Sequence, residues 1–301
     1  MKLLALLIGL IIERLATQLF HLRHLRWLDQ AIDFGFRQAA RVANWPALIA
    51  VIGLTLALII PVLLARLALG DAWYGFPYLI LAIVVLFFSL GPKDIGEDVD
   101  EYCQAIEADD PQHIDAAARA LAESDIPDDD EQRIRLVEES VCIQANNRLF
   151  AVVFWFILLG PVGAWAYRVA DLVRLRAVFN MLRDELPGGV AVVEAAELLH
   201  GWLAWIPARL TAVGYAMAGS FEGARNAWRQ RADTQESTSH QRSERLLARV
   251  GTGALALHEV PGESLADRAV RGATAAKGLV YRLLFIWAAV IGAMTLYGWS
   301  L

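Results

Sequence analysis

Four long stretches of the chain are almost entirely apolar and carry no charged side chain: residues 47–65, 72–92, 149–167 and 283–301. A helix rises about 1.5 Å per residue, so about 20 such residues cross a hydrocarbon core roughly 30 Å thick. Lipid offers the backbone no hydrogen-bond partner, so these stretches can cross only as helices, and the alternating pattern of a barrel is missing from the sequence. The pattern predicts an all-α fold, a membrane helical bundle of about five to six segments.

Two weaker segments complete that number. Residues 3–20 are mostly apolar and carry charge only at Glu13 and Arg14, and they lack the small-residue cleavage site of a signal peptide, so we expect a retained first helix. Residues 198–221 are long enough to cross, but His200 and Arg209 interrupt them. This stretch is either a polar membrane helix or a helix in the membrane interface.

Residues 26–42 mix aromatic and aliphatic residues with arginines, which is typical of a helix on an anionic membrane surface. We expect this interfacial amphipathic helix to turn Trp27, Ile32 and Phe36 toward lipid.

Hydrophobic residues make up 57% of the chain, which supports the membrane class. With the N-terminus outside, twenty Lys and Arg residues fall on one side of the six segments and six on the other. Cytoplasmic loops carry the excess of positive charge, so the larger group predicts the cytoplasmic side of a bacterial inner membrane. The predicted outer group consists of Lys2, Arg66, Arg168, Arg174, Arg176 and Arg183.

The polar stretch before the third apolar segment is strongly acidic, with seventeen acids against five bases in residues 93–148. We expect a cytoplasmic helical hairpin whose last helix continues into the segment at residue 149, with Cys103 and Cys142 reduced there. The predicted layout is membrane helices in 1–91, the acidic hairpin in 92–148, a central membrane region in 149–221, a basic cytoplasmic segment in 222–282 with a linker at 232–243, and a C-terminal membrane helix in 283–301.

Candidate chemistry is sparse. The sequence contains no P-loop, no hydrolase elbow and no zinc-protease motif, it indicates no cofactor or metal set, and its basic residues follow membrane topology rather than a nucleic-acid patch. Ionisable residues in apolar segments are costly and face a partner or ligand. The candidate polar site consists of Glu13, Arg14, Glu138, Glu139, Asn146 and Arg209.

Alternatives stay open for each of these residues. Glu13 and Arg14 could lie at a helix end in the interface, Arg209 could bind phosphate or carboxylate groups or extend to lipid headgroups, and the residues at 138, 139 and 146 could be solvated near a helix start. We expect Glu13 and Arg209 to share one polar cavity, because two ionisable groups in apolar surroundings need compensation.

A set of short motifs, spread over nearly the whole chain, resembles the AmpE family of inner-membrane proteins, which is named for the β-lactamase regulation locus of Gram-negative bacteria. The motifs are Ile12-Glu13-Arg14-Leu15, Val137-Glu138-Glu139-Ser140, Phe154-Trp155, Tyr167-Arg168, Trp205-Ile206-Pro207-Ala208-Arg209-Leu210 and Thr295-Leu296-Tyr297-Gly298. The resemblance implies a sensor or accessory protein linked to β-lactamase regulation and cell-wall recycling. It implies as partners the lipid bilayer, a small-molecule or cell-wall-derived ligand and a second copy of the chain.

The layout is also similar to the superfamily of adenosylcobinamide-phosphate synthase, a membrane enzyme. That enzyme's acidic motif before the Phe-Trp pair is replaced here by residues 142–148, where Asn146 and Asn147 carry no charge, and its motif after Tyr-Arg is replaced by residues 171–174. A cytoplasm-facing synthase or ligase is the alternative function, and the missing acids argue against it. A transporter is a third hypothesis, disfavoured because the four long segments hold almost no polar residues.

Overall fold

The computed structural model describes residues 26–41, 46–69, 76–91, 93–183, 188–230 and 238–297, and every regular element in these ranges is helical. The predicted all-α fold is confirmed. The first segment, with Glu13 and Arg14, lies outside the described residues. The helices are α1 (Arg26–Arg41), α2 (Ala47–Leu69), α3 (Phe76–Ser89), α4 (Ile95–Glu107), α5 (Pro111–Ala122), α6 (Asp130–Ala145), a π-turn (Asn146–Phe150), α7 (Ala151–Leu159), α8 (Pro161–Leu182), α9 (Gly189–Ala218), α10 (Phe221–Arg229), α11 (Ser239–Leu255) and α12 (Leu265–Leu296).

Among the described residues, four helical stretches are long and apolar enough to cross a membrane: Ala47–Leu69, Asp130–Leu159, Gly189–Ala218 and Leu265–Leu296. The second joins α6, the π-turn and α7 without a break, which agrees with the expected continuation of the acidic segment. On α2 the exposed fractions of Leu56, Leu64 and Leu67 are 55%, 58% and 67%. A continuous apolar surface of this kind needs an apolar solvent, so the chain is a membrane protein.

The third apolar segment is not the single helix that the sequence predicted. α7 ends at Leu159, Gly160 adopts a φ of 71°, and Pro161 starts α8 without an N–H to continue the helical ladder. A Cβ on Gly163 would lie 2.4 Å from the carbonyl oxygen of Trp155, so α8 folds back tightly along α7. With nine residues, α7 is about 14 Å long, roughly half of a hydrocarbon core.

This hairpin returns α8 to the level of the acidic helices. The Arg174 guanidinium on α8 lies 3.9 Å from the Glu123 carboxylate after α5, and the Tyr167 hydroxyl lies 3.4 Å from Asn147 at the π-turn. Groups in contact cannot lie on opposite membrane faces. The predicted outer position of residues 168–183, relative to the acidic segment, is therefore wrong.

Helix α1 forms where the sequence predicts it, but two of its expected lipid contacts are wrong. Ile32 and Phe36 are 0% and 5% exposed and pack in a cluster with α2 and α8, whereas Trp27 is 61% exposed. Asp33 fixes this orientation, because its carboxylate accepts a 2.7 Å hydrogen bond from Nε of Arg176 on α8. The amphipathic face of α1 thus meets protein rather than lipid.

Helices α9 and α11 pack along each other. A Cβ on Gly201 would lie 2.6 Å from the backbone nitrogen of His240, and one on Gly219 would lie 2.5 Å from the carbonyl oxygen of Ala254. α11 begins after the Thr238 cap, so residues 239–243 of the predicted linker are helical instead.

The two faces of α9 differ. Trp202 and Leu210 are exposed on the outer face, while α11 covers the inner face and itself exposes Arg242. Both placements left open for residues 198–221 stay predictions, since Gly189–Ala218 is also long and apolar enough to cross a membrane.

Candidate functional site

The most polar part of the interior surrounds the π-turn between α6 and α7. We call it the polar junction and define it as Asp98, Glu123, Asn147, Arg148, Asp171, Arg174, His200, His240 and Glu244. A π-turn inserts one residue into a helix, and such turns occur often at functional sites. Here it is followed directly by the apolar helix α7, so the junction lies where the polar helices meet the apolar hairpin.

Arg148 holds the first half of the junction together. Its guanidinium donates to Asp98 at 2.8 Å, Glu123 at 3.0 Å, Gln144 at 3.0 Å and the carbonyl oxygen of Ala120 at 3.0 Å. The side chain fits because position 91 is glycine, where a Cβ would lie 2.8 Å from that of Arg148. One buried cation therefore joins α4, the end of α5 and the π-turn by charge-assisted hydrogen bonds.

Asp171 on α8 organises the second half. Its carboxylate accepts 2.9 Å hydrogen bonds from Arg168 and Arg174, each three residues away on the same helix. Burial would raise the pKa of Asp171, but the charges of Arg174, His200 and Arg168 outweigh it and hold that pKa below its usual value. Asp171 is thus a permanent anion between two guanidinium groups, and Arg174 links it to Glu123.

A chain of side chains continues from Asp171 to α11. Nε2 of His200 lies 3.7 Å from the Asp171 carboxylate, and its Nδ1 lies 3.1 Å from Nδ1 of His240. Nε2 of His240 lies 3.3 Å from the Glu244 carboxylate, which accepts a 3.4 Å hydrogen bond from Asn147.

The two side chains of this series that lie on α11, His240 and Glu244, have shifted pKa values. Burial raises the pKa of Glu244 to about 7, although Arg174 and the hydrogen bond from Asn147 lower it. Burial, followed by the charges of His200 and Arg174, lowers the pKa of His240. Near neutral pH, His240 is therefore neutral and Glu244 exchanges its proton.

Of the predicted site residues that the structure describes, Asn146 lies closest to the junction. Its amide donates to Asn147 at 3.1 Å, and its oxygen accepts from Thr211 at 3.0 Å. Glu138 instead pairs with Arg268 on α12, and Glu139 is half-buried beside it.

Arg209 has a different environment again. Its guanidinium stacks 3.9 Å from the ring centre of Trp205 and donates to the Trp205 carbonyl oxygen at 2.9 Å. Cation–π contacts at exposed sites are weak, about 0.5–1 kcal/mol. Arg209 and Glu138 thus have separate partners. The cavity expected between Glu13 and Arg209 stays a prediction, because Glu13 lies outside the described residues.

Sequence reasoning missed most of the junction. The signal available was Asp171 with arginines three residues to either side, and a lone histidine, His200, in an apolar stretch. His240 carries no such signal, because residues 232–243 read as a polar linker, and Glu244 directly follows that stretch.

Metal binding and a charged cavity among the polar helices bear on the chemistry outside the junction. Within the described ranges, no group of three His, Cys, Asp or Glu residues could hold a metal ion. A cavity of about 390 Å³ opens between the start of α6 and the segment joining α11 to α12, and its lining mixes both charge signs, including Glu131, Arg135, His258 and Glu259. Such a lining suits a zwitterionic ligand better than an apolar one.

The fold and the junction define a class: a helical membrane protein whose apolar hairpin is joined to polar helices by a buried, charge-paired centre. The chain belongs to the AmpE family, since the family model described as "Regulatory signalling modulator protein AmpE" matches residues 1–300.

Two curated relatives are cobalamin biosynthesis proteins CobD. The chain is 30% identical to that of Stutzerimonas stutzeri (strain A1501) over 156 residues, 52% of this chain and 50% of the relative. It is 28% identical to that of Chromobacterium violaceum over 158 residues, 52% of this chain and 49% of the relative. The chain thus matches about half the length of these relatives. No solved structure was found to match it.

Proposed function

We propose that this chain is a multi-pass protein of the bacterial inner membrane that modulates a regulatory signal in β-lactamase regulation and cell-wall recycling. The observation that carries the proposal is the family match over residues 1–300, whose description is that of a signalling modulator. The β-lactamase connection comes from the family resemblance of the motifs around Glu138 and Arg209.

The geometry supports a modulator because the polar junction couples two parts of the molecule. Arg148 and Arg174 connect the acidic helices to the apolar hairpin, and His240 connects α11 to α9. A ligand in the charged cavity would contact α6 and the segment before α12, and Arg268 at its edge pairs with buried Glu138. A cell-wall peptide fragment, which carries both amine and carboxylate groups, matches the mixed charge of that cavity.

A complementation experiment tests the role. In a bacterium with an inducible β-lactamase, deletion of this gene should change induction by a β-lactam, and the wild-type chain should restore it. His240→Asn, which interrupts the junction, should fail to restore induction at an equal membrane level. Arg242→Ala, on the exposed face of the same helix, should restore it. Normal induction in the deletion strain would refute the proposed role.

The alternative is a membrane synthase or ligase, and the partial match to the two CobD proteins is the observation that favours it. Replacement of acids around Asn147, where Arg148 neutralises Asp98 and Glu123, argues against it. Purified protein should be titrated with nucleotides, corrinoids and muropeptides. Saturable corrinoid or nucleotide binding would favour the enzyme, and muropeptide binding lost in Arg135→Ala would favour the modulator.

A further inference from the structure

We propose that Asp171, His200, His240 and Glu244 form a proton-relay site that binds one proton at Glu244 and can pass it through both histidines to face Asp171. The inference does not depend on the proposed regulatory function. It starts from three consecutive contacts of 3.7, 3.1 and 3.3 Å that join two carboxylates through two imidazoles.

The contact between the two histidines determines which group donates and which accepts in each hydrogen bond of the series. Each neutral imidazole has one N–H and one lone pair, so the 3.1 Å contact between the two Nδ1 atoms holds a single proton. When Glu244 is ionised, Nε2–H of His240 donates to it, and Nδ1 of His240 must accept from His200. Nε2 of His200 is then a lone pair facing the Asp171 carboxylate.

When Glu244 is ionised, a hydrogen bond is missing at the Asp171 end of the chain. Two acceptors face each other there, and Nε2 of His200, which is 0% exposed, has no hydrogen-bond partner within the usual distance. A buried polar atom without a partner is destabilising, because nothing replaces the hydrogen bond that it makes with water in the unfolded chain. One added proton allows Nε2 of His200 to face the carboxylate with an N–H instead of a lone pair.

The added proton reverses the hydrogen bonds between Glu244 and His240 and between His240 and His200. Protonated Glu244 donates to Nε2 of His240, Nδ1–H of His240 donates to His200, and Nε2 of His200 then carries an N–H that faces the Asp171 carboxylate 3.7 Å away. Atoms and charge balance, because the only species added is one proton from water.

The groups around the two ends suit this behaviour. Glu244 is faced by Arg174 and Asp171 of α8, Asn147 of the π-turn, Glu123 after α5 and His240 of its own helix, and its pKa of about 7 places proton uptake near neutral pH. Asp171 is held ionised by Arg168 and Arg174, so it attracts the N–H of His200 that faces it without taking the proton.

Infrared and nitrogen NMR spectroscopy of the full chain in lipid vesicles test the relay. The carbonyl band of a protonated carboxyl group should appear as the pH falls through about 7, and the nitrogen signals of His200 and His240 should exchange tautomers at the same midpoint. Glu244→Gln should remove both changes. Glu197→Gln, one turn before His200 on α9, should preserve both.

Two results would overturn the proposal. One is a carboxyl midpoint near the ordinary glutamate value of about 4.3. The other is histidine signals that titrate unchanged in Glu244→Gln. If Glu244→Gln does not fold, His240→Gln gives a second readout: the carboxyl band should persist, because Glu244 remains, while the His200 tautomer should no longer follow pH.

Discussion

Replacement of Arg148 by alanine should lower the free energy of unfolding by about 3 kcal/mol. Breaking one partner of a buried ion pair costs about 3–5 kcal/mol because the other charge stays buried. Asp98, which is 4% exposed, and Glu123 both lose their main cation, while Lys93 at 3.1 Å still compensates Asp98 in part. We therefore expect the lower end of that range, measured by SDS titration in detergent micelles.

Arg209→Ala is the matched control, since it removes a guanidinium that is partly exposed over Trp205 and should lower the free energy of unfolding by no more than about 1 kcal/mol. Asp98→Asn should recover part of the loss in the Arg148→Ala background, because it removes an unpaired buried charge. Equal effects of Arg148→Ala and Arg209→Ala would contradict the role of Arg148 as the buried cation of the polar junction.

Replacement of Asp171 by asparagine should have a comparable effect, about 3–5 kcal/mol at neutral pH. It leaves the guanidinium groups of Arg168 and Arg174 buried together without the anion that separates them. The same titration measures it. Asp171→Asn combined with Arg174→Gln should lose less than the sum of the two single variants, because the second change relieves the repulsion created by the first.

The ion pairing of Asp171 also predicts how its contribution to stability changes with pH. The pKa of Asp171 is lowered in the folded chain, so its stabilising contribution is present above the unfolded value of about 3.9 and is lost as the pH falls below it. The stability difference between wild type and Asp171→Asn should therefore shrink as the pH falls below about 4. A difference that grows on acidification would contradict the ion pairing.

The sequence was sufficient for features that follow from local pattern. Charge-free apolar runs predict α2 and α12 because lipid leaves the backbone no alternative to a helix. The continuation of α6 into α7 follows from helical residues on both sides of residue 149.

Features set by tertiary contacts were not predictable in the same way. Residues 149–167 are apolar enough to cross, and the positive φ of Gly160, the proline that follows it and the close contact at Gly163 make them a hairpin. This hairpin also places Arg174 on the side of the acidic helices, whereas the sequence predicts the opposite side. Ile32 and Phe36 could have faced lipid or protein on pattern alone, and the Asp33–Arg176 pair decides between these.

The polar junction escaped prediction because its members come from distant segments. Arg148 pairs with Asp98 and Glu123, which lie 50 and 25 residues earlier in the chain. Asp171 reaches His200 only because α8 and α9 pack together. Asn146 alone of the described predicted residues lies at its edge.

The central claim is that the hairpin of α7 and α8 returns α8 to the membrane side of the acidic helices. Cysteine accessibility tests this claim directly. Single cysteines at Arg183, Asp129 and Ala68 should be introduced in a chain with Cys103 and Cys142 replaced by alanine. A membrane-impermeant maleimide should label positions 183 and 129 only in inverted vesicles, and position 68, at the far end of α2, only in intact spheroplasts. Labelling of position 183 from the same side as position 68 would contradict the account.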